Sequence, residues 1–495
     1  MKKTFLIILI STISVFLNAE TYYLTLDKSI EIAKQKSFGI RNLKEDVKIA
    51  EYNLKSATSS IKTHVDLNLV TPNYEQTVKQ LNDGTGLRPV DVLNYGSTLT
   101  IRQPLITNGS IYVEGGLSGK EDYDPEQKYN RLSWLEGRIG YSQPIDALYG
   151  YNRIKSELKL AKLAYERTSK ALKQEELNLE YEVSRYYYGL LQAQKSTEIS
   201  LLDLERQTEA NTIAQNKFTA GLIREVEALQ TEVDLADAQN TYEMSLVNFK
   251  SQILDFNQFI GLDLNDSIVL SDKLEYSVII IDSDKAVELA LANRYEIRDN
   301  EISIEQQKLS VKQQKSQGLP RGNLNASIEK IGTSSEKFGD IDIPGSIKNS
   351  YNSFMDSRKP KLNVGLTVRV PIIDWGENRA LVRAAETRLK KNILTQENNI
   401  ISIEKEIRNL VAELNNNLKR LQLLEKNVNI AERSFDITRQ RFSDGDIDSQ
   451  SLALERNRLN NAYRGHLSAY IAYQLNLSDI MRKTLYDFRT DNPVK

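Results

Sequence analysis

Residues 371–442 decide the fold; they open as PIIDWGENRALVRAAETRL and contain neither glycine nor proline from Glu377 onward. Their apolar side chains recur in steps of three, four and multiples of these, which is the spacing of one helical seam. The seam consists of Leu389, Ile393, Ile400, Ile403, Ile407, Leu410, Leu414, Leu421, Leu424, Val428, Ala431, Phe435 and Phe442. A helix of about 65 residues would be roughly 100 Å long. Because no globular core could cover it, it must pack lengthwise against similar helices.

The residues just before this helix have a different period. Residues 361–370 read KLNVGLTVRV, with aliphatic side chains at every even position and polar ones at positions 363, 367 and 369. Such alternation over ~9–11 residues is what a transmembrane barrel strand requires. A sheet in a soluble domain is the alternative, but it would need an apolar covering layer that no segment supplies.

The same order of elements occurs twice in the chain. We predict a signal peptide at 1–19, a first repeat at 20–272 with strands within 63–143, and a second repeat at 273–495 with strands within 322–370. Each repeat begins with a helix (26–61 with Asp27 as N-cap, and 284–317). The first repeat has its own long helical run at 145–218, and polar loops are expected up to residue 94 and over 332–360.

The first repeat carries an additional strand pair. Residues 97–103 and 111–117 both alternate, and the dipeptide Asn108-Gly109 between them favours a tight turn. We predict that they pair antiparallel, which would give each chain six strands rather than four. Four to six strands are too few for a wide pore, and open edges cannot face lipid. Several chains must therefore share one barrel.

Composition and the N-terminus exclude several classes of protein. Residues 1–19 have two lysines, an apolar core of about 13 residues and a small residue at Ala19, which predicts a cleaved secretory signal rather than a membrane anchor. The absence of cysteine excludes disulfides, thiolate metal sites and a lipid-bearing N-terminal cysteine. A formal net charge of −2 gives no electrostatic reason to expect nucleic-acid binding.

Four segments resemble the TolC-type outer-membrane efflux proteins, and the resemblance covers essentially the whole mature chain. They are VPIIDWGENRALVRAAE (370–386), its degenerate counterpart SQPIDALYGYNRIKSELKLA (142–161), KFTAGLIREVEALQTEVDLADAQ (217–239) and RFSDGDIDSQSLALERNRLNNA (441–462). The resemblance implies a mainly α-helical homotrimer with a transmembrane β-barrel shared between protomers and an α-helical tunnel in the periplasm. It implies a passive exit duct in a Gram-negative-type outer membrane, with a periplasmic adaptor and an inner-membrane pump as partners and outer-membrane lipid around the barrel.

Two glycines end the long helices at matching positions. Each follows the pattern [KR]-F-x-x-G, and one reading is an ordinary helix C-cap. In the family, this turn is the periplasmic tip that meets the adaptor. The candidate tip and adaptor-contact residues are Lys217, Phe218, Gly221, Arg441, Phe442 and Gly445.

Acidic residues follow both glycines. Three copies of each around an axis would form acidic rings, which favour cations; the alternative is that they are solvated acids at helix ends. The chain departs from the family's gating aspartates, because Ser451 and Leu454 occupy those places. The candidate constriction residues are Glu225, Glu227, Asp444, Asp446 and Asp448, with Arg224 and Arg441 as their expected partners.

Nothing in the sequence indicates an enzyme. The only histidines, His64 and His466, lack metal-ligand spacing, and no P-loop or nucleophile motif is present. We therefore expect no catalytic, cofactor-binding or metal-binding residues. The alternative to an export channel is a non-conducting trimeric helical surface protein or adhesin, anchored by its strands.

Overall fold

The computed structural model describes residues 21–80, 86–123, 130–270, 274–337, 341–356 and 359–493. The predicted signal peptide lies outside these residues. The chain forms two compact units, each assembled from separated segments. One unit contains 170–298 and the segments before 46 and after 396, and the other contains 46–169 and 299–396.

Helices make up most of the first unit and extend into the second. In chain order they are α1 (Leu26–Lys36), α2 (Phe38–Ser59), α3 (Asp146–Tyr149), α4 (Arg153–Thr219), α5 (Glu225–Ile260), α6 (Ser283–Asn293), α7 (Tyr295–Gln317), α8 (Ile343–Met355), α9 (Glu377–Asp444) and α10 (Ser449–Thr484). Within the described residues, none of them combines the length and apolarity needed to cross a membrane.

The predicted long helix is confirmed. Helix α9 has 68 residues and α4 has 67, so each is roughly 100 Å long at ~1.5 Å per residue. Seam residues of α9 such as Ile407, Leu414 and Leu421 are fully buried. The first long run was predicted to begin at residue 145, but α4 begins at Arg153, after the short helix α3 and Gly150.

Both predicted opening helices are broken into two. The run at 26–61 consists of α1 and α2 with Ser37 between them, and the run at 284–317 consists of α6 and α7 with Arg294 between them. Asp27 was predicted to be the N-cap, but this prediction is wrong. The N-cap is Thr25, whose hydroxyl accepts the hydrogen bond from the Lys28 N–H at 3.4 Å. Asp27 instead lies in the first turn, where a carboxylate favours the helix dipole.

The strands in chain order are β1 (Thr21–Leu24), β2 (His64–Gln80), β3 (Leu87–Pro104), β4 (Ser110–Tyr123), β5 (Asn130–Pro144), β6 (Ser267–Leu270), β7 (Arg321–Lys337), β8 (Lys361–Arg369), β9 (Tyr486–Asp487) and β10 (Asn492–Pro493). Strand β1 pairs with β6 in parallel. Six strands form one antiparallel sheet in the order β2-β3-β4-β5-β7-β8.

The predicted strand pair of the first repeat is confirmed. Strands β3 and β4 pair from Ser97↔Leu117 to Gln103↔Ile111, and Asn108 in the turn takes a positive φ of 69°. The sheet therefore contains six strands of this chain. No observation tests the division into two repeats, which stays a prediction.

Two predicted loops were wrong. The loop expected up to residue 94 is mostly strand, because β2 and β3 stay paired as far as Gln80↔Leu87. The loop expected over 332–360 contains the end of β7 and all of α8, whose N-cap Asp342 accepts a hydrogen bond from the Gly345 N–H at 2.8 Å. Both segments are rich in polar residues, so their composition predicted loops. Their backbones nevertheless form regular strands and a helix.

Candidate functional site

One face of the six-stranded sheet is apolar and uncovered in its middle. In every strand, one large aliphatic side chain pairs in register with the next across the sheet. Between 38% and 68% of each of these residues is exposed. This apolar row consists of Val65, Ile101, Val113, Ile139, Ile328 and Leu362. A continuous exposed apolar band of this kind is what lipid-facing strands present.

The opposite face of the sheet is polar. The residues that alternate with the apolar row are also in register and form a polar row of Asp66, Thr100, Glu114, Arg138, Glu329 and Lys361. The Arg138 guanidinium lies 2.8 Å from the Glu329 carboxylate and 3.5 Å from that of Glu114. A sheet with one apolar and one charged face suits a boundary between lipid and water.

The sheet has two open edges. Strands β2 and β8 each have a single partner in the described sheet, and all nine residues of β8 are exposed. Unpaired backbone groups at an edge are not tolerated in lipid. In lipid, both edges would therefore need partner strands.

The two candidate tip glycines are C-caps of the same type. Gly221 has a φ of 74° and Gly445 a φ of 90°, both left-handed. The residue after each glycine donates a hydrogen bond five residues back, from Leu222 to the Lys217 carbonyl at 2.8 Å and from Asp446 to the Arg441 carbonyl at 2.9 Å. This is the Schellman arrangement, in which glycine takes positive φ without steric cost. The C-cap interpretation is thus correct, and it is compatible with a functional role for the two turns.

A lysine joins the two glycine turns. The Lys217 ammonium donates a hydrogen bond to the Phe442 carbonyl and lies 4.6 Å from the centre of the Phe442 ring. Phe442 also belongs to a small buried apolar cluster, which consists of Ala210, Ala214, Phe435, Phe442, Leu452 and Leu459. The predicted tip residues are therefore adjacent in space, with Phe218 and Arg441 exposed beside them.

Two of the five candidate acids are held by hydrogen bonds at the starts of α5 and α10, the helices that follow the glycine turns. Asp448 is the N-cap of α10 and accepts a hydrogen bond from the Ser451 N–H at 2.9 Å. Hydrogen bonds from the side chain and backbone of Ser451 lower the pKa of the Asp448 carboxyl below its ordinary value. Glu227 accepts a hydrogen bond from the Arg224 guanidinium at 2.8 Å.

Asp448 and the other three acids are exposed. Asp444 accepts a hydrogen bond from the Gln440 amide at 3.1 Å, while Glu225 and Asp446 are exposed. Of the two basic residues expected to pair with acids, Arg224 does so with Glu227, and Arg441 is exposed.

A groove of about 460 Å³ lies between the first turns of α5 and α10. Its lining brings Arg224 and Glu227 together with Asp448, and adds Gln230 and Asp234, which sequence analysis did not single out. Asp234 lies seven residues after Glu227, which places both on one side of α5. This spacing of seven residues is the sequence signal that could have identified Asp234. Within the described residues, no cluster of three or more acidic or histidine side chains could hold a metal ion.

Comparisons with known proteins identify relatives of the whole arrangement. A sequence model of the outer membrane efflux protein family matches residues 136–255 and 286–478, well over half of the chain. The alkaline protease secretion protein AprF of Pseudomonas aeruginosa is 24% identical over 278 residues, which are 55% of this chain. The match spans 52%, about half, of the length of that relative.

Solved structures show the same fold at low sequence identity. The Campylobacter jejuni outer membrane channel CmeC has a TM-score of 0.65 at 16% identity, with 93% of this chain and 85% of that chain covered. The open state of the Neisseria gonorrhoeae MtrE outer membrane channel has a TM-score of 0.65 at 15% identity, with coverages of 94% and 89%. The predicted fold class of long helical hairpins with a channel-type sheet is confirmed.

Proposed function

Because the chain belongs to the outer membrane efflux protein family, we propose that it is the exit duct of a tripartite efflux or type I secretion complex. The family places it in the outer membrane and among channels rather than enzymes. The observation that carries the proposal is the six-stranded sheet, with its exposed apolar row on one face and its charged row on the other. Substrates would pass along the charged face without energy supplied by this chain.

The duct would be a homotrimer. Three copies of the sheet would pair β2 of one protomer with β8 of the next and remove every open edge. Two helices support the same assembly, because α5 exposes Val226, Leu229, Val233, Met244 and Val247, and α9 exposes Leu423, Ile430 and Ile437. The three residues of α9 are spaced by seven, as in a coiled-coil seam. Such seams would be covered by neighbouring protomers.

The glycine turns would form the periplasmic end of the duct and dock onto an adaptor protein, which links it to an inner-membrane pump. This role is supported by the pairing of the two turns through Lys217 and by the exposure of Phe218 and Arg441 beside them. The C-cap hydrogen bonds and the hydrogen bond from Lys217 to Phe442 hold the two turns together. The turns can therefore present a fixed surface to a partner.

The acids would form the constriction at that end. Three copies of Asp446 and Asp448 in a narrow lumen would concentrate cations. The lowered pKa of Asp448 keeps its carboxylate ionised as the pH falls into the range in which an ordinary aspartate becomes protonated.

Neutralising these acids should reduce cation selectivity. We expect the double variant Asp446→Asn and Asp448→Asn to show a smaller reversal potential in a salt gradient across a planar bilayer. Asparagine at position 448 can still cap α10, so the helix end should remain folded. A matched control, Asp237→Asn with Asp436→Asn, removes two exposed acids elsewhere on α5 and α9 and should leave selectivity unchanged. Unchanged selectivity in the first double variant would move the constriction to Glu225 and Glu227.

A further inference from the structure

Helix α8, between β7 and β8, packs on the sheet through serines. Ser346 and Ser350 are fully buried, and their hydroxyls lie 2.6 Å and 2.9 Å from the Ser133 hydroxyl of β5. The Ser350 hydroxyl also donates to the Ser133 carbonyl at 2.8 Å. On β7, Ser334 lies 3.4 Å from the Ser346 hydroxyl. The most deeply buried side chains of α8 are therefore small and polar.

The helix lies unusually close to the sheet. A Cβ atom on Gly332 would fall 2.2 Å from both the Phe354 nitrogen and the Ser350 carbonyl oxygen, so only glycine permits this approach. The start of the helix is also tied down, because the Arg131 guanidinium donates to the Ile341 carbonyl at 2.6 Å and pairs with the buried Glu121 carboxylate at 2.8 Å. Helix α8 is thus a fixed part of the sheet surface.

The outward side of α8 carries an apolar stripe beside the exposed Lys348 and Asn352. Ile343, Ile347, Tyr351 and Met355 recur every four residues, and the exposed fractions of Tyr351 and Met355 are 49% and 58%. A helix on a water-facing surface has the opposite distribution, with its apolar stripe against the protein and its polar side outward. The exposed Ile343, Tyr351 and Met355 of α8 therefore favour an apolar environment outside the protein.

Helix α8 lies over the face of the sheet that carries the apolar row, where Lys330 separates Ile328 from Gly332 and lies with its ammonium 5.3 Å from the centre of the Phe354 ring. Gly332 and Ser334 follow Ile328 of the apolar row at even intervals along β7, so all three point to the same face. Helix α8 covers that face of the sheet at Gly332 and Ser334, where the side chains of the sheet become small and polar. Two exposed cations lie near the stripe in the sequence. Lys348 is in α8 beside the stripe, and Lys359 follows the helix.

We propose that α8 is a membrane-surface helix that docks into lipid of the outer leaflet. Its apolar stripe would lie at the boundary between acyl chains and headgroups, and Lys348 would contact lipid phosphates, as in interfacial amphipathic helices. A second copy of the chain is the less suitable occupant, because α8 covers β5 and β7 rather than the edge strand β8. The proposal rests on placing the sheet in the membrane but does not depend on conduction.

Nitroxide labelling tests this proposal directly, because the chain has no native cysteine. Single variants Tyr351→Cys and Met355→Cys, with Asn352→Cys as the matched control on the same turn, would be labelled in the full-length protein. Ile139→Cys, in the apolar row, serves as the lipid reference. The labelled proteins would be reconstituted in vesicles of phosphatidylethanolamine and phosphatidylglycerol. Collision with oxygen and with a chelated nickel complex, present on both sides of the membrane, would be measured.

Labels at positions 351 and 355 should behave as the label at 139 does. We expect their oxygen-to-nickel accessibility ratio to exceed that at position 352 several-fold. Equal nickel access at 351, 352 and 355 would mean that the helix faces water and would overturn the proposal. Low access to both reagents at 351 and 355 would mean that protein, such as a second copy, covers the helix, and would also overturn it. Neither outcome would bear on conduction, so failure here is distinguishable from failure of the exit-duct proposal.

Discussion

Replacing Ile101 by arginine should prevent stable insertion of the protein into the outer membrane. Ile101 lies in the apolar row and is exposed on the apolar face of the sheet. An arginine on the lipid face near the bilayer midplane costs about 2–4 kcal/mol, and every protomer of an oligomer would carry it. We expect the Ile101→Arg chain to be lost from the outer-membrane fraction in density-gradient fractionation of cells, as detected by immunoblot.

The neighbouring residue supplies a matched control. Thr100 lies on the polar face, where it is in register with Asp66 on one side and Glu114 on the other. An arginine at position 100 would therefore lie between two carboxylates, and Thr100→Arg should fractionate as the wild-type protein does. If Ile101→Arg inserted as well as Thr100→Arg, the apolar face of the sheet would not be the lipid face.

Replacing Gly445 by valine should remove adaptor binding. Gly445 has a φ of 90°, and residues held in sparsely populated backbone regions cost on the order of 1–3 kcal/mol each, with β-branched residues least tolerated. The turn would relax, and the hydrogen bond from Asp446 to the Arg441 carbonyl would be lost. Its neighbours would then shift, including Phe442, which Lys217 contacts. Co-purification with the adaptor from cells expressing both proteins measures the effect.

Asparagine at the same position separates backbone conformation from side-chain bulk. Asparagine is tolerated in the left-handed region far better than valine, and open space surrounds Gly445 apart from the Lys217 ammonium 4.0 Å away. Gly445→Asn should therefore retain most adaptor binding. Both variants should still reach the outer membrane, because the turn is remote in sequence from the strands. Equal adaptor binding by the valine and asparagine variants would show that the turn geometry does not contribute to docking.

The sequence predicted those parts of the fold in which side-chain periodicity continues. The seam of α9 and the pairing of β3 with β4 are examples, since each places apolar residues at constant intervals. The alternation is lost beyond Val70, where β2 leaves the apolar band and both of its faces become largely polar. The backbone remains paired there, so the hydrogen bonds continue without a sequence signal.

Helix α8 was missed for a related physical reason. Its buried side consists of serines, and its first turn contains Pro344 and Gly345, so the composition is typical of a loop. The interaction of Lys217 with Phe442 could not be predicted either, because it joins residues 225 positions apart. The role of the acids that follow the glycines stays a prediction. The hydrogen-bond partners of Asp448 and Glu227 could not be predicted, because they depend on how α10 and α5 begin.

The central claim is that this chain forms a conducting duct, and single-channel recording tests it most directly. Purified full-length protein would be inserted into planar bilayers, together with the Lys217→Ala variant, which removes the bond to Phe442 and should loosen a closed end. We expect discrete conductance steps of one uniform, trimer-sized unit, with a preference for cations and longer open times in the variant. The absence of such steps from both proteins at every voltage and salt concentration, despite insertion, would contradict the account and favour a non-conducting surface protein.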